Sequence, residues 1–243
     1  MIRKFQVVVM LSLAFLLIVV PATADNLLAD GSFETPAVTP PNSTCGTYGP
    51  AQCFYVGNDI GAWTVIGKSD GTYGTVMLMT NAYQETVGGV SGGTPLYFHV
   101  EDGSQALDLT GEGNQNTAPG IDDGVKQSVT LGAGQYDLTF WLGHQDNTAP
   151  GYAGASSLSL WIDGTQVNTY SNNLNTSDDV TWEEFSYDFT ASGYTTIAFI
   201  NNTPIGNNYA GLDNVSLSQV PEPASLLLVV SGFAGLFVRR FRK

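Results

Sequence analysis

Between Val125 and Leu217 the chain alternates apolar and polar residues in short runs separated by Gly, Asn, Asp and Thr. Val125, Gln127, Val129 and Leu131 share one phase, with Lys126, Ser128 and Thr130 in the other. After Gly132-Ala133-Gly134, read as a turn, Tyr136, Leu138, Phe140 and Leu142 repeat the pattern. Alternation of period two places successive side chains on opposite faces of a strand, so each run predicts a half-buried strand. Leu158, Leu160 and Ile162 form another, which Asp163-Gly164 turns back through Val167, because a two-residue Asp-Gly loop suits the backbone of a tight hairpin. Phe185, Tyr187 and Phe189 alternate with polar residues, Ile197 is in phase with Phe199, and the last strand is read as Leu212 to Leu217. No internal stretch has a helical period. The pattern predicts an all-β fold, two antiparallel sheets packed face to face as a jelly-roll sandwich.

The two ends depart from this pattern. Arg3 and Lys4 precede an apolar run from Phe5 to Val20 and then Pro21-Ala22-Thr23-Ala24. A basic start, a hydrophobic stretch and an Ala-x-Ala ending make a secretory signal peptide, with cleavage expected after Ala24 and an uncleaved membrane anchor as the rival reading. At the other end Val220-Pro221-Glu222-Pro223 leads into apolar residues 224–238, closed by Arg239, Arg240, Phe241, Arg242 and Lys243. As a helix this stretch would reach about 22 Å at roughly 1.5 Å per residue, short of a hydrocarbon core of about 30 Å. The basic end is held on the cytoplasmic side, which leaves the body outside the inner membrane. A Pro-Glu-Pro motif, a short hydrophobic helix and an Arg-rich end resemble the PEP-CTERM sorting signal of bacteria. That resemblance implies processing by an exosortase-type transpeptidase, after a transient hold at the inner membrane and before release to the cell surface or matrix. A plain single-span tail anchor is the alternative. The chain divides into a signal peptide (1–24), a body (25–219) and a sorting or anchor segment (220–243).

Charge and cysteine sharpen the picture. Of 22 acids and 8 bases, 21 acids but only Lys68 and Lys126 lie between Asp25 and Val220, so the body is near −19. Such a body repels phosphate backbones, which excludes nucleic-acid binding. Cys45 and Cys53 lie eight positions apart in a loop rich in Pro, Gly, Asn and Thr. In an exported chain they are expected to pair as a local disulfide, with free or metal-bound thiols as the alternative.

Several short segments carry a second resemblance. These are Asn26 to Glu34 with its Asp-Gly-Ser-Phe-Glu, Trp63-Thr64-Val65, Asp102 to Leu109, Gln127-Ser128-Val129, Tyr136 to Phe140, and Leu212 to Leu217. Together they resemble the galactose-binding-like jelly roll of choice-of-anchor and DUF642-type exported proteins and, more distantly, of carbohydrate-binding modules. Residues 35–62 and 71–93 have no counterpart there and are read as insertions.

By alternation Asp213 shares a face with Val215 and Leu217, so an inward face would bury a carboxylate, which must then be paired, protonated or metal-bound. With so few bases available, a hard cation with oxygen ligands is the expected partner. The carbohydrate-binding resemblance implies a structural calcium joining Glu34 to Asp213. The alternative is that Asp213 accepts hydrogen bonds from turn amides while Glu34 is solvated. For sugar recognition, which needs aromatic faces and a few polar groups, the outward phase selects Trp141 and Trp161. His144, Gln145, Asp146, Tyr97 and His99 are the nearby polar or aromatic candidates, whereas Trp63 and Trp182 are assigned to packing. Each outward Trp could equally be covered by a loop.

No nucleophile elbow, zinc motif or phosphate loop accompanies the two histidines and the carboxylates Asp102, Asp108 and Asp146. The expectation is a non-catalytic, calcium-stabilised polysaccharide-binding protein of the cell surface or extracellular matrix. A structural or adhesive matrix protein is the second reading, and a glycoside-active enzyme the third.

Overall fold

A computed structural model describes residues 25–38, 50–67, 75–86, 95–111, 123–145, 151–152, 154–174, 178–204 and 207–221. The segments read as a signal peptide and as a C-terminal hydrophobic helix lie outside them, as do Cys45, Lys68 and Asp146. The described residues contain twelve strands and no α-helix: β1 (Ala51–Phe54), β2 (Asp59–Ile60), β3 (Trp63–Ile66), β4 (Val76–Thr80), β5 (Gln84–Thr86), β6 (Pro95–Tyr97), β7 (Gln105–Asp108), β8 (Gly124–His144), β9 (Ser156–Ile162), β10 (Thr165–Asn172), β11 (Thr181–Asn201) and β12 (Gly211–Gln219). Ten of them form one antiparallel sheet in the order β1-β4-β7-β12-β8-β11-β9-β10, with β3 against β8 and β2 against β3; β5 and β6 pair separately.

The sheet folds over itself into two layers because β8 and β11 are long enough to belong to both. The first half of β8 pairs with β3 through Thr64↔Lys126 to Ile66↔Gly124. Its second half pairs with β12 through Gly211↔Gly143 to Gln219↔Tyr136, and β11 follows it along nearly its whole length. The change of layer falls at Gly132-Ala133-Gly134, opposite a register shift between Ala191 and Gly193. Gly193 sits at φ 98°, a conformation open to glycine at little cost. The expected Gly-Ala-Gly turn is therefore a bend within one strand. The buried phase passes there from Leu131 to Tyr136, and the Tyr136 hydroxyl donates to the Gly132 carbonyl at 2.9 Å. The Asp163-Gly164 hairpin has the expected tight form, with φ of 49° and 76° and Thr165 opposite Ile162.

Phe140 packs at the centre of the core, edge-on to Phe199 (4.9 Å) and Tyr170 (5.0 Å) and stacked on Phe185 (5.9 Å). Trp63 meets Phe33 and Phe199 from the β3 side and is fully buried. The segments read as insertions supply strands of the main sheet: β1 and β2 come from 35–62, and β4 from 71–93. Val76 and Leu78 of β4 enter the main core, whereas Met77 and Met79 enter a second cluster with Tyr83, Leu96, Phe98, Tyr152 and Tyr209. Cys53 belongs to that second cluster, within a strand rather than a loop, and is disulfide-bonded. At its far end β12 ties the start of the C-terminal segment to the bend, since the Val220 amide donates to the Gln135 carbonyl at 2.8 Å.

Candidate functional site

The carboxylates come first because they are the most constrained. Asp213 is fully buried, but on the opposite face from Val215 and Leu217. Leu212 faces the core opposite Leu142, and Asp213 stands opposite Trp141 on the outer face. A register shift follows, with Asn214 at φ 46°, and it restores Val215 and Leu217 to the core. The bulge is why simple alternation misplaced Asp213. Its Oδ2 accepts the Glu101 and Asp102 amides at 3.0 Å each and its Oδ1 the Asn214 amide at 2.7 Å. Desolvation outweighs these bonds and pushes the carboxyl up to about 8.

Glu34, which is exposed, holds the same loop a few residues on, where its Oε1 accepts the Ser104 (2.7 Å) and Gln105 (3.0 Å) amides. Glu34 and Asp213 thus grip the 101–105 loop through four backbone N–H groups. Among the described residues the carboxylate oxygen buried without a hydrogen-bond partner is Oδ2 of Asp30, which belongs to the Asp-Gly-Ser-Phe-Glu segment but carried no expected site role. Its Oδ1 accepts the Glu34 amide at 2.9 Å, and burial, with Glu34 nearby, raises its pKa.

Asp108, also buried, lies on β7 opposite Met77 and Gly211. Its Oδ1 accepts the Thr110 (2.9 Å) and Ala210 (3.1 Å) amides. The Thr110 hydroxyl lies 2.8 and 3.0 Å from its two oxygens and 2.7 Å from the Asn208 carbonyl. A hydroxyl carries one hydrogen and a carbonyl can only accept. With that hydrogen on the Asn208 carbonyl, the contacts to Asp108 are satisfied when the carboxyl is protonated. Burial, reinforced by the charge of Glu85, accordingly raises Asp108 to about 7.

The loop-end candidates divide. Gln145 and Tyr97 come together, Gln145 Nε2 donating to the Tyr97 carbonyl at 2.7 Å. Tyr97 stacks on His99 at 5.9 Å, and His99 Nδ1 lies 2.6 Å from Asp179 Oδ2. Trp182 donates its Nε1 to the His99 carbonyl at 2.9 Å, and its ring lies over Gly143 and Gly211, where a Cβ would come within 2.8 and 2.7 Å. His144 is fully buried with Nδ1 2.9 Å from Ser156 Oγ, so its ring is part of the interior rather than a surface ligand group. Trp161, half-buried, donates to Ser159 Oγ and stands opposite Ala198, on the other layer from Trp141.

Trp141 belongs to a different arrangement. On the outer face of β8 and β11 the register sets Trp141 opposite Glu184, Thr139 opposite Ser186, Asp137 opposite Asp188 and Gln135 opposite Thr190. All are half-buried or exposed. At about 3.4 Å per residue the row runs about 20 Å. Beside its Gln135 end opens a cleft of about 490 Å³ lined by Gln135, Ile162, Val167, Tyr187, Asp188, Phe189 and Thr190. It exists because β9 pairs with β11 only from Ile197 onward, which leaves the first half of β11 a free edge. The Tyr170 hydroxyl reaches the Ser186 carbonyl on that edge at 3.1 Å, so by strand alternation the backbone groups of Asp188 and Thr190 face it too. Tyr187 and Phe189, expected inward, are only partly buried at the rim of the core, their rings 6.3 Å apart and 21° from parallel. No sequence signal marks this opening, because it is set by where the Ser156–Ile162 strand stops beside the longer Thr181–Asn201 strand.

Residues 219–243 match the PEP-CTERM protein-sorting motif, which marks an exported protein sorted to the cell envelope or surface. No curated protein matches the chain. Among solved structures, TmCBM61 in complex with β-1,4-galactotriose is similar at 14% identity over 80% of this chain and 99% of that one, with a TM-score of 0.42. The K1 cleaved adhesin domain of Lys-gingipain from Porphyromonas gingivalis W83 is 14% identical over 70% and 98%, TM-score 0.43. CBM35 from Paenibacillus barcinonensis is 13% identical over 71% and 100%, TM-score 0.35.

Proposed function

We propose that the protein is an exosortase substrate of the cell surface or extracellular matrix whose body binds exopolysaccharide without cleaving it. In this reading the C-terminal helix holds the chain at the inner membrane until the tail is processed. The observation that carries the binding reading is the cleft at the free edge of β11. The Tyr187 and Phe189 rings offer a seat for the apolar side of a pyranose, and the free-edge backbone groups of Asp188 and Thr190 offer hydrogen bonds for its hydroxyls, which is what sugar recognition requires.

Asp137 and Asp188 stand side by side on one sheet. Glycoside cleavage needs two carboxyls flanking the scissile bond, so this placement favours a binding face over a hydrolase. At the loop end, the aromatic rings are tied to partners within the protein, which favours the structural-matrix reading for that surface. A structural calcium belongs to the proposal as well. Asp30 Oδ2, buried without a hydrogen-bond partner, is the oxygen that would hold it, with Glu34 beside it, whose Oε1 also accepts two amides; among the described residues no three acidic, His or Cys side chains cluster, so backbone oxygens would have to complete the shell. A glycan array on the exported protein tests the binding reading. Retention of at least one glycan class is expected, with loss on Tyr187→Ala, and no retention by folded protein would overturn it.

A further inference from the structure

The two sides of the cleft differ in kind. One side is the free edge of β11, which brings the Tyr187 and Phe189 rings and the edge-facing backbone groups of Asp188 and Thr190. The other side is the β9–β10 hairpin, which brings Ile162 and Val167. Ile162 has the core phase, opposite Ile197, and Val167 sits at the register shift between Gln166 and Asn168. Such a bulge re-aims a side chain, and both residues pack against the core while remaining partly open. The hydrogen-bonding groups within the cleft therefore lie along the β11 edge, and the hairpin side is aliphatic. The side chains of Asp188, Gln135 and Thr190 border the opening from the outer face of the sheet.

A pyranose whose face rests on the rings turns one part of its rim to the β11 edge and the opposite part to the hairpin. Hydroxyls on the first part meet backbone donors and acceptors. A hydroxyl on the second part gives up water and gains no partner, which weakens binding. The substituent that projects furthest from a hexopyranose is C6, as a hydroxymethyl, a carboxylate or a methyl. A hydroxymethyl sets an unpartnered hydroxyl against Ile162 and Val167. A carboxylate sets a charge there with no base lining the cleft; among the described residues the one Lys or Arg side chain is Lys126, which lies between Thr64 and Ala198 in the other layer. A methyl is the form that the aliphatic side accepts, and burying it is favourable. An N-acetyl group also ends in a methyl, but it brings an amide N–H and C=O to the same wall.

Resting on the glycan-binding reading and naming its substrate class, we infer that the ligand of the cleft is a polysaccharide bearing 6-deoxyhexose residues. The ring sits on Tyr187 and Phe189, its hydroxyls meet the β11 edge, and the C6 methyl lies against Ile162 and Val167, which set the specificity.

The test is an array of the exported protein against oligosaccharides in matched sets that differ only at C6: L-rhamnose with L-mannose, L-fucose with L-galactose, and D-fucose with D-galactose and D-galacturonate. N-acetylglucosamine oligomers are included, and calorimetric titration follows on every set retained. A 6-deoxy member should bind about tenfold tighter than its partners, the scale of one methyl group in an apolar site. Val167→Thr and Ile162→Thr put a hydroxyl on the aliphatic side, and either should shrink that preference. Both positions are half-buried, and Val167→Thr keeps the side chain's shape, so it should melt close to the parent. Equal or tighter binding of the hydroxymethyl, carboxylate or N-acetyl sugars, or a preference untouched by both variants, overturns the inference and leaves glycan binding standing. Should a variant fail to fold, the parent's ranking within the matched sets decides. Retention of no glycan by the folded parent overturns both the inference and the reading beneath it.

Discussion

Neutralising Asp108 without changing its shape, as Asp108→Asn does, should stabilise the protein at alkaline pH and change little in acid. The carboxyl titrates near 7 in the folded protein against 3.8 as its ordinary value. Because the folded value is the higher one, the folded state holds the proton more tightly. The associated stability is complete below about pH 4, falls as pH rises, and has gone once pH passes 7. A difference of about three units at about 1.36 kcal/mol each sets the loss at about 4 kcal/mol. An Asn side chain preserves the local bonds, its Oδ1 accepting the Thr110 and Ala210 amides and its Nδ2 donating to the Thr110 hydroxyl, which donates on to the Asn208 carbonyl. Urea unfolding of the parent and of the variant at pH 4 and pH 8 measures the effect. The variant should exceed the parent by about 2–4 kcal/mol at pH 8 and differ by under about 1 kcal/mol at pH 4. A variant less stable than the parent at both pH values would refute the idea that a proton, rather than a charge, occupies this site. Asp213, raised to about 8, should leave the variant with a residual decline in stability between pH 4 and pH 8.

Gly143→Ala drives a Cβ to 2.8 Å from the Trp182 ring, which its bond to the His99 carbonyl holds in place; a loss of about 1–3 kcal/mol with altered Trp fluorescence is expected, and an unchanged unfolding midpoint would show that the ring moves freely. Calcium at a hundredfold excess over its dissociation constant should add about 2.7 kcal/mol and chelator should remove it, so a melting temperature indifferent to both refutes the cation at Asp30 and Glu34. Intact mass of the surface-exposed protein should lack the segment from Ala224 to Lys243; its retention would leave a simple membrane anchor.

The strands were legible because their burial on one face is written directly in period two, as in Tyr136 to Leu142. Two features escaped for physical reasons. The bends at Gly132-Ala133-Gly134 and Ala191–Gly193 preserve pairing while reversing phase, and a glycine-rich bend in a strand reads like a turn. The Asp213 bulge likewise inverted one residue's face. The cleft was hidden for another reason. Phe185, Tyr187 and Phe189 have the same phase, yet Tyr187 and Phe189 line an opening, and an opening is set by where the neighbouring strand stops rather than by the residues that border it. Trp141 was placed on the outer face by phase alone, whereas Asp137, Glu184 and Asp188 joined it only through cross-strand register.

The position of β12 bears on when this protein can fold. In the described sheet β1, β4 and β7 reach the other strands of their layer only through β12, the last strand in the chain. Such pairing is of high contact order and slow, and it cannot begin before the C-terminal residues are available. A chain emerging from a membrane amino-terminus first would hold its halves apart until Gly211–Gln219 had crossed. The sorting motif matched at 219–243 follows at once. Closure of the sandwich would then coincide with arrival of the tail, so a nascent chain would stay threadable until its sorting motif reaches the membrane.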